Sequence, residues 1–129
     1  MPRLGDVVVK VAGGTVGEVV ERFRGILEAK GVRVFAVVDQ AAEARAVGLS
    51  LRETVLVVFG NPAAGTPVMD AAPLAALDLP LKVLIWDDGG TTRVAYYSPD
   101  SIVERHQLPP ETAAGLAAIN RLTDALVVP

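Results

Sequence analysis

The segment "LKVLIWDDGGTTRVAYY", residues 81–97, decides the fold, because it predicts two neighbouring strands joined by a tight turn. Both halves are rich in β-branched and aromatic residues, and the stretch Asp87 to Gly90 between them is typical of a hairpin turn. With these four residues as the loop, Trp86 pairs with Thr91. The predicted sheet is therefore built around an antiparallel hairpin.

This register divides the side chains of the hairpin between two faces. One face is almost wholly apolar and is expected to meet the helices: Leu81, Val83, Ile85, Thr92, Val94 and Tyr96. The other face mixes cations with large aromatic residues: Lys82, Leu84, Trp86, Arg93, Ala95 and Tyr97. On that face Arg93 is a diagonal neighbour of Trp86, which is close enough for a cation–π contact.

Three more strands and two long helices are predicted outward from the hairpin. The strands are expected at 5–11, 32–39 and 54–60, and the long helices at about 15–30 and 110–127. Shorter helices are predicted at 40–47, 67–78 and 99–106. The order β-α-β4-α predicts an α+β fold with a mainly antiparallel five-stranded sheet and the two long helices on one face. A chain of 129 residues fits one domain, 1–129.

The segment "FGNPAAGTPVMD", residues 59–70, combines turn and helix-start signals. Gly60 permits backbone conformations that other residues resist, and Asn61-Pro62 favours a turn. Thr66 is interpreted as the N-cap of a short helix, with Pro67 at its first position. We interpret the segment first as a structural corner; the alternative is a ligand site, because helix starts bind anions.

Composition excludes several classes of function. The net charge of −3 and the pI of about 5.1 oppose nucleic-acid binding, which needs a basic surface. The chain has no cysteine and one histidine, His106, so no metal site and no cofactor are expected. His106 is explained by its place at a helix C-terminus. No apolar run reaches the roughly 18 residues of a membrane span. A cytoplasmic protein is expected.

The strands "VFAVV" and "VLVVF" do not alternate between apolar and polar residues. A sheet with helices on one side should alternate, so something else must cover the second face. Short helices are too small to do so. We therefore expect a two-fold homodimer with Trp86 as an anchor of the interface.

Three motifs resemble the DUF302 family, whose function is unknown. They are a D-x-A-x-x-A-x-x-x-G-L segment at 39–49, the F-G-N-P-x-x-G-T-x-x-M block at 59–69 and L-D-L-P at 77–80. The resemblance covers residues 5–126 and implies a β-α-β4-α fold of the TATA-binding-protein-like class, usually homodimeric. Members often have His after the aspartate, where this chain has Gln40, and Gln cannot transfer a proton near neutral pH.

The functional expectation is the binding of a small molecule or an anion, with no catalytic residue identified. The candidate site lies between the corner and the mixed sheet face: Asn61, Gly65, Thr66, Trp86, Arg93 and Tyr97. Two alternatives stay open. One is an enzyme whose site is assembled across the dimer, and the other is a purely structural or assembly protein.

Overall fold

Five antiparallel strands form one sheet in the order β1-β5-β4-β3-β2 in the computed structural model, which describes residues 6–128. The strands are β1 (Val7–Ala12), β2 (Arg33–Asp39), β3 (Thr54–Gly60), β4 (Leu81–Asp88) and β5 (Thr91–Tyr97). The α-helices are α1 (Val16–Ala29), α2 (Gln40–Ala46), α3 (Pro62–Ala71), α4 (Pro99–Arg105), α5 (Thr112–Leu116) and α6 (Ala118–Asp124), and a 3-10 helix spans Pro73–Leu77. The predicted α+β fold is confirmed.

The hairpin turn is shorter than the sequence predicts. Asp88 pairs with Thr91, so Gly89 and Gly90 alone form the turn, with φ angles of 61° and 99° that glycine adopts without strain. The predicted pairing of Trp86 with Thr91 is wrong by two residues. Because side chains alternate with a period of two, the two faces keep their predicted membership.

The apolar face of the sheet packs against α1, as expected. Thr15 and Glu18 form a capping box at the start of this helix. The helix buries one stripe of side chains, namely Val16, Val19, Val20, Phe23 and Leu27. The ring of Phe23 meets that of Phe59 on β3 edge-to-face, with 5.3 Å between centroids. This contact lies within the main hydrophobic core.

The C-terminal helical segment packs on the same face but is divided in two. The sequence predicts one helix at about 110–127, whereas α5 and α6 meet at Ala117. Leu116 packs in a second cluster with Leu79 and Ile102, while Ile119 belongs to the main core. Because the segment is divided at Ala117, α5 packs against the second cluster and α6 against the main core.

Lys10 ties β1 to the end of α6. Its Nζ donates to the carbonyl of Asn120 at 3.0 Å, to Thr123 Oγ1 at 2.7 Å and to Asp124 Oδ1 at 2.7 Å. It also lies 5.1 Å from the ring centroid of Tyr96. Burial favours the neutral amine, but the hydrogen bond to Asp124 and the charge of that carboxylate hold the pKa of Lys10 above its usual 10.5.

The corner differs from its sequence-based interpretation. Helix α3 begins at Pro62, and its N-cap is Asn61, whose side chain accepts a hydrogen bond from the Ala63 amide. Thr66 is therefore not an N-cap, and Pro67 lies inside the helix. Both Asn61-Pro62 and Thr66-Pro67 fit a helix start, and the chain uses the first pair.

No helix within residues 6–128 combines the length and the hydrophobicity needed to cross a bilayer. The longest, α1, has 14 residues.

The observed N-cap predicts different effects for substitutions at Asn61 and Thr66. Asn61→Ala should lower the free energy of unfolding by about 1 kcal/mol, because it removes the side-chain acceptor of the cap. Thr66→Ala should change it by less than about 0.5 kcal/mol, since this exposed position lies inside the helix. Urea unfolding measures both values, and a larger loss for Thr66→Ala would contradict the assigned cap.

Candidate functional site

An apolar cavity of about 360 Å3 opens at the corner, between α3, the end of β3 and the pair α5–α6. We call it the corner cleft. Its wall includes Phe59, Gly60, Asn61, Gly65, Thr66, Met69, Leu79, Pro80, Leu81, Leu116 and Ile119. Three candidate residues from the sequence, Asn61, Gly65 and Thr66, therefore lie together in one cavity.

The start of α3 offers the cleft no free backbone donor. Pro62 has no N–H, and the Ala63 amide donates to Asn61 Oδ1 at 3.0 Å. The amides of Ala64 and Gly65 donate to the carbonyl of Asn61 at 3.0 and 2.9 Å. A helix start binds anions through unpaired amides, so this one lacks the means to do so.

Two glycines keep the corner cleft open by lacking side chains. A Cβ on Gly60 would contact Pro80 Cβ at 3.5 Å, and a Cβ on Gly65 would contact Met69 Cε at 3.7 Å. Both distances are ordinary van der Waals contacts, so a longer side chain at either position would enter the cavity. The role of Gly60 is to leave space; the special backbone conformation suggested by the sequence does not occur, since its φ is not positive.

A second cavity of about 430 Å3 lies where β4 and β5 separate. The β4–β5 pairing runs from Asp88↔Thr91 only to Leu84↔Ala95, so the outer ends of the two strands pair with other neighbours. We call the resulting cavity the sheet slot. Its wall contains Val7, Leu56, Leu77, Asp78, Leu81, Lys82, Leu84, Ala95, Tyr96, Tyr97, Ile102 and Ile119. Side chains from both sheet faces thus reach one cavity.

Asp78, in the wall of the sheet slot, is held by two basic residues at the end of α4. Its Oδ2 accepts hydrogen bonds from Arg105 Nη1 and from His106 Nε2, both at 2.6 Å. The Arg105 guanidinium also lies 4.9 Å from the ring centroid of Tyr97. Burial favours the neutral acid, but the bonds and charges of His106 and Arg105 hold the pKa of Asp78 below its usual 3.8.

The pairing of Asp78 with His106 is the contact that sequence reasoning missed. The two residues are 28 positions apart, and no local pattern joins them. His106 is the C-cap of α4, which confirms its predicted position at a helix C-terminus. The signal that could have pointed to Asp78 is the L-D-L-P motif, in which a lone acid lies between apolar residues.

The other three candidate residues lie away from the corner cleft. Tyr97 is in the wall of the sheet slot, while Trp86 and Arg93 face each other near the hairpin turn. Trp86 pairs with Thr54, which is six strand residues, or roughly 20 Å, from Gly60. Arg93 Nε donates to Asp88 Oδ2 at 2.6 Å. A single site that joins all six residues does not form within one chain.

The segment around Gln40 has a structural explanation. Asp39 is the N-cap of α2 and accepts a hydrogen bond from the Ala42 amide at 2.9 Å. The side chain of Gln40 is exposed, and Ala41 is fully buried. Between residues 6 and 128 no three His, Asp or Glu side chains converge as metal ligands would.

The lowered pKa of Asp78 makes its contribution to stability dependent on pH. A carboxyl whose pKa is depressed in the folded state stabilises the protein above its unfolded pKa, and this stabilisation is lost as the pH falls through the folded value. Asp78→Asn should therefore lower the urea midpoint at pH 6 to 7, and the deficit should shrink below the ordinary value of 3.8.

Asp70→Asn is the matched control, because it removes the same charge from an exposed position of α3. It should shift the midpoint far less at every pH. A deficit for Asp78→Asn that stays constant from pH 7 to pH 3 would contradict the role assigned to the ionised carboxylate.

Known proteins resemble this chain in sequence and in fold. A stretch of 95 residues, 73% of this chain, is 38% identical to a protein named Fluoride-specific ion channel FluC 1 from Brucella suis biovar 1 (strain 1330). The protein of the same name from Brucella abortus biovar 1 (strain 9-941) matches over the same length and identity. The chain spans only 37% and 35% of the lengths of these relatives, so the likeness concerns a part of each.

The fold is shared with a crystal structure described as an uncharacterized conserved protein DUF302 from Bacillus stearothermophilus. The TM-score is 0.78 at 22% sequence identity, and the match covers 94% of this chain and 95% of the other. The family model described as "Domain of unknown function DUF302" matches residues 7–126. The chain therefore belongs to the DUF302 family.

Proposed function

We propose that this domain binds a small, predominantly apolar, uncharged molecule in the corner cleft. The observation that carries the proposal is the wall of the cleft, which is made of aliphatic and aromatic side chains with Asn61 and Thr66 as its polar members. The volume of about 360 Å3 falls in the range of sites for small organic ligands. Burial of apolar surface then supplies the affinity.

The polar groups at the corner favour an uncharged ligand over an anion. The amides of the first turn of α3 are paired with Asn61, so they have no donor left for a negative charge. Asn61 keeps its side-chain amide group and Thr66 its hydroxyl for hydrogen bonds to the ligand. These two groups suit the recognition of one hydroxyl or carbonyl on an apolar body.

Helix α3 forms a wall that can adjust to its ligand. It contains no fully buried residue, and Pro67 removes one hydrogen bond from its interior. Only Val68 and Met69 attach it to the second core cluster. Elements with few buried apolar contacts open at low free energy, which gives a ligand access to the cleft.

A larger side chain that fills the corner cleft should weaken the binding of an apolar dye. The probe is N-phenyl-1-naphthylamine, an uncharged dye whose fluorescence rises in apolar surroundings. Gly65→Leu places a side chain toward Met69 and should weaken dye binding by about tenfold or more, because the added atoms occupy the cavity. Fluorescence titration gives the Kd.

Gly25→Leu is the matched control, since Gly25 is an exposed position of α1 with open space around its Cβ. It should leave the Kd unchanged. Equal binding by the wild type and Gly65→Leu would rule out the corner cleft as the site.

We further propose that two copies of the chain associate through the sheet face that no helix layer covers. The apolar side chains of this open sheet face are Val7, Val9, Val11, Leu56, Val58, Leu84, Trp86, Ala95 and Tyr97, and Lys82 and Arg93 lie on the same face. Val9 is 51% exposed and Val11 40% exposed, and Trp86 is half-buried. Contiguous apolar surface of this kind is uncommon on a monomer, and a two-fold dimer is the commonest way to cover it.

The dimer proposal predicts a sedimenting mass of twice 13.5 kDa at micromolar concentration. Val9→Lys should shift the equilibrium to monomer, because it would bury an unpaired ammonium in the interface. Trp86→Ala should act in the same direction by removing an anchor. Val47→Lys is the control, since Val47 is 73% exposed at the end of α2. A wild type that sediments as a monomer at every concentration would contradict the dimer.

A further inference from the structure

We propose that the sheet slot is a second binding site, distinct from the corner cleft, and that its ligand is a small amphiphilic carboxylate with an aliphatic or aromatic body. The proposal does not depend on the corner cleft. It rests on three features of the slot: an apolar wall, a cation in that wall, and an ionised acid in the same wall that is already paired with other basic residues.

The wall of the sheet slot accommodates an apolar body. It includes Leu56 of β3, Leu84 of β4, Leu77 of the 3-10 helix and Ile102 of α4. The volume of about 430 Å3 is larger than that of the corner cleft. The slot exists because β4 and β5 stop pairing at Leu84↔Ala95, so the sheet backbone itself leaves room for a ligand.

Lys82 supplies the positive charge. Its Nζ donates to the carbonyl of Pro80 at 3.1 Å, and an ammonium group has three donors. Within residues 6–128, the ion pairs of the structure do not include Lys82. The Pro80 carbonyl fixes the ammonium in place while leaving donors for a ligand.

Asp78, the acid in the same wall, does not cancel this charge. It is paired with Arg105 at 2.6 Å and hydrogen-bonded to His106, so its negative charge is already compensated. Lys82 therefore remains as one uncompensated cation beside an apolar cavity. A singly charged carboxylate matches that arrangement, and an apolar body distinguishes the ligand from a free inorganic anion.

Decanoate is a suitable probe, and decanol is its uncharged counterpart. Isothermal titration calorimetry should show decanoate binding to the wild type with a Kd about tenfold lower than that of decanol, because only decanoate forms a charge-assisted hydrogen bond. Lys82→Met keeps much of the aliphatic stem and should weaken decanoate binding by about tenfold. Lys82→Arg keeps the charge and should bind within about threefold of the wild type.

Two control variants separate this site from general charge effects and from the corner cleft. Lys30→Met removes an exposed cation after α1 and should leave decanoate binding unchanged. Gly65→Leu, which fills the corner cleft, should leave it unchanged as well. The proposal is overturned if the wild type binds no decanoate, if decanol binds as tightly, if Lys82→Met has no effect, or if Gly65→Leu abolishes decanoate binding.

Discussion

A single layer of helices covers one face of the sheet, although the opposite face also carries many apolar side chains, and the rest of the molecule follows from this mismatch. On β3, the side chains of Val57 and Phe59 are fully buried under α1, whereas Leu56 and Val58 on the opposite face are only half-buried. Burial beneath α1 and α6 supplies the main core. The uncovered face forms part of the sheet slot, and it is also the surface through which we propose that two copies associate.

The hydrogen bonds of Asp78 to Arg105 and His106, at the end of α4, lie between the two cavities. Leu79 and Pro80, which follow Asp78, form part of the corner cleft, while Asp78 and Lys82 belong to the sheet slot. By holding Asp78 Oδ2, Arg105 and His106 fix the position of this whole segment. Both hydrogen bonds fall on one carboxylate oxygen, and the lowered pKa of Asp78 keeps the carboxyl ionised near neutral pH, which suits a structural clasp better than proton transfer.

Local sequence patterns predict the secondary structure and the faces of the strands, but they do not predict contacts between residues that are distant in the chain. The five strands, helix α1 and the two faces of the hairpin follow from periodicity and turn chemistry. Trp86 pairs with Arg93 and not with the predicted Thr91, but the assignment of side chains to the two faces is still correct, because a shift of two residues preserves the alternation. Asn61-Pro62 and Thr66-Pro67 carry the same local helix-start signals, so the local pattern does not decide which residue is the N-cap. The Asp78–His106 pair joins residues 28 positions apart and depends on tertiary structure alone.

The two cavities are neighbours in space as well as in sequence. Leu81 and Ile119 belong to the walls of both cavities, so the two ligands that we propose would each contact the same two side chains. Protein interiors are closely packed, and a ligand that displaces either side chain reshapes the other cavity. Thermodynamic linkage makes any such effect reciprocal: whatever factor one ligand imposes on the affinity for the second, the second imposes on the affinity for the first.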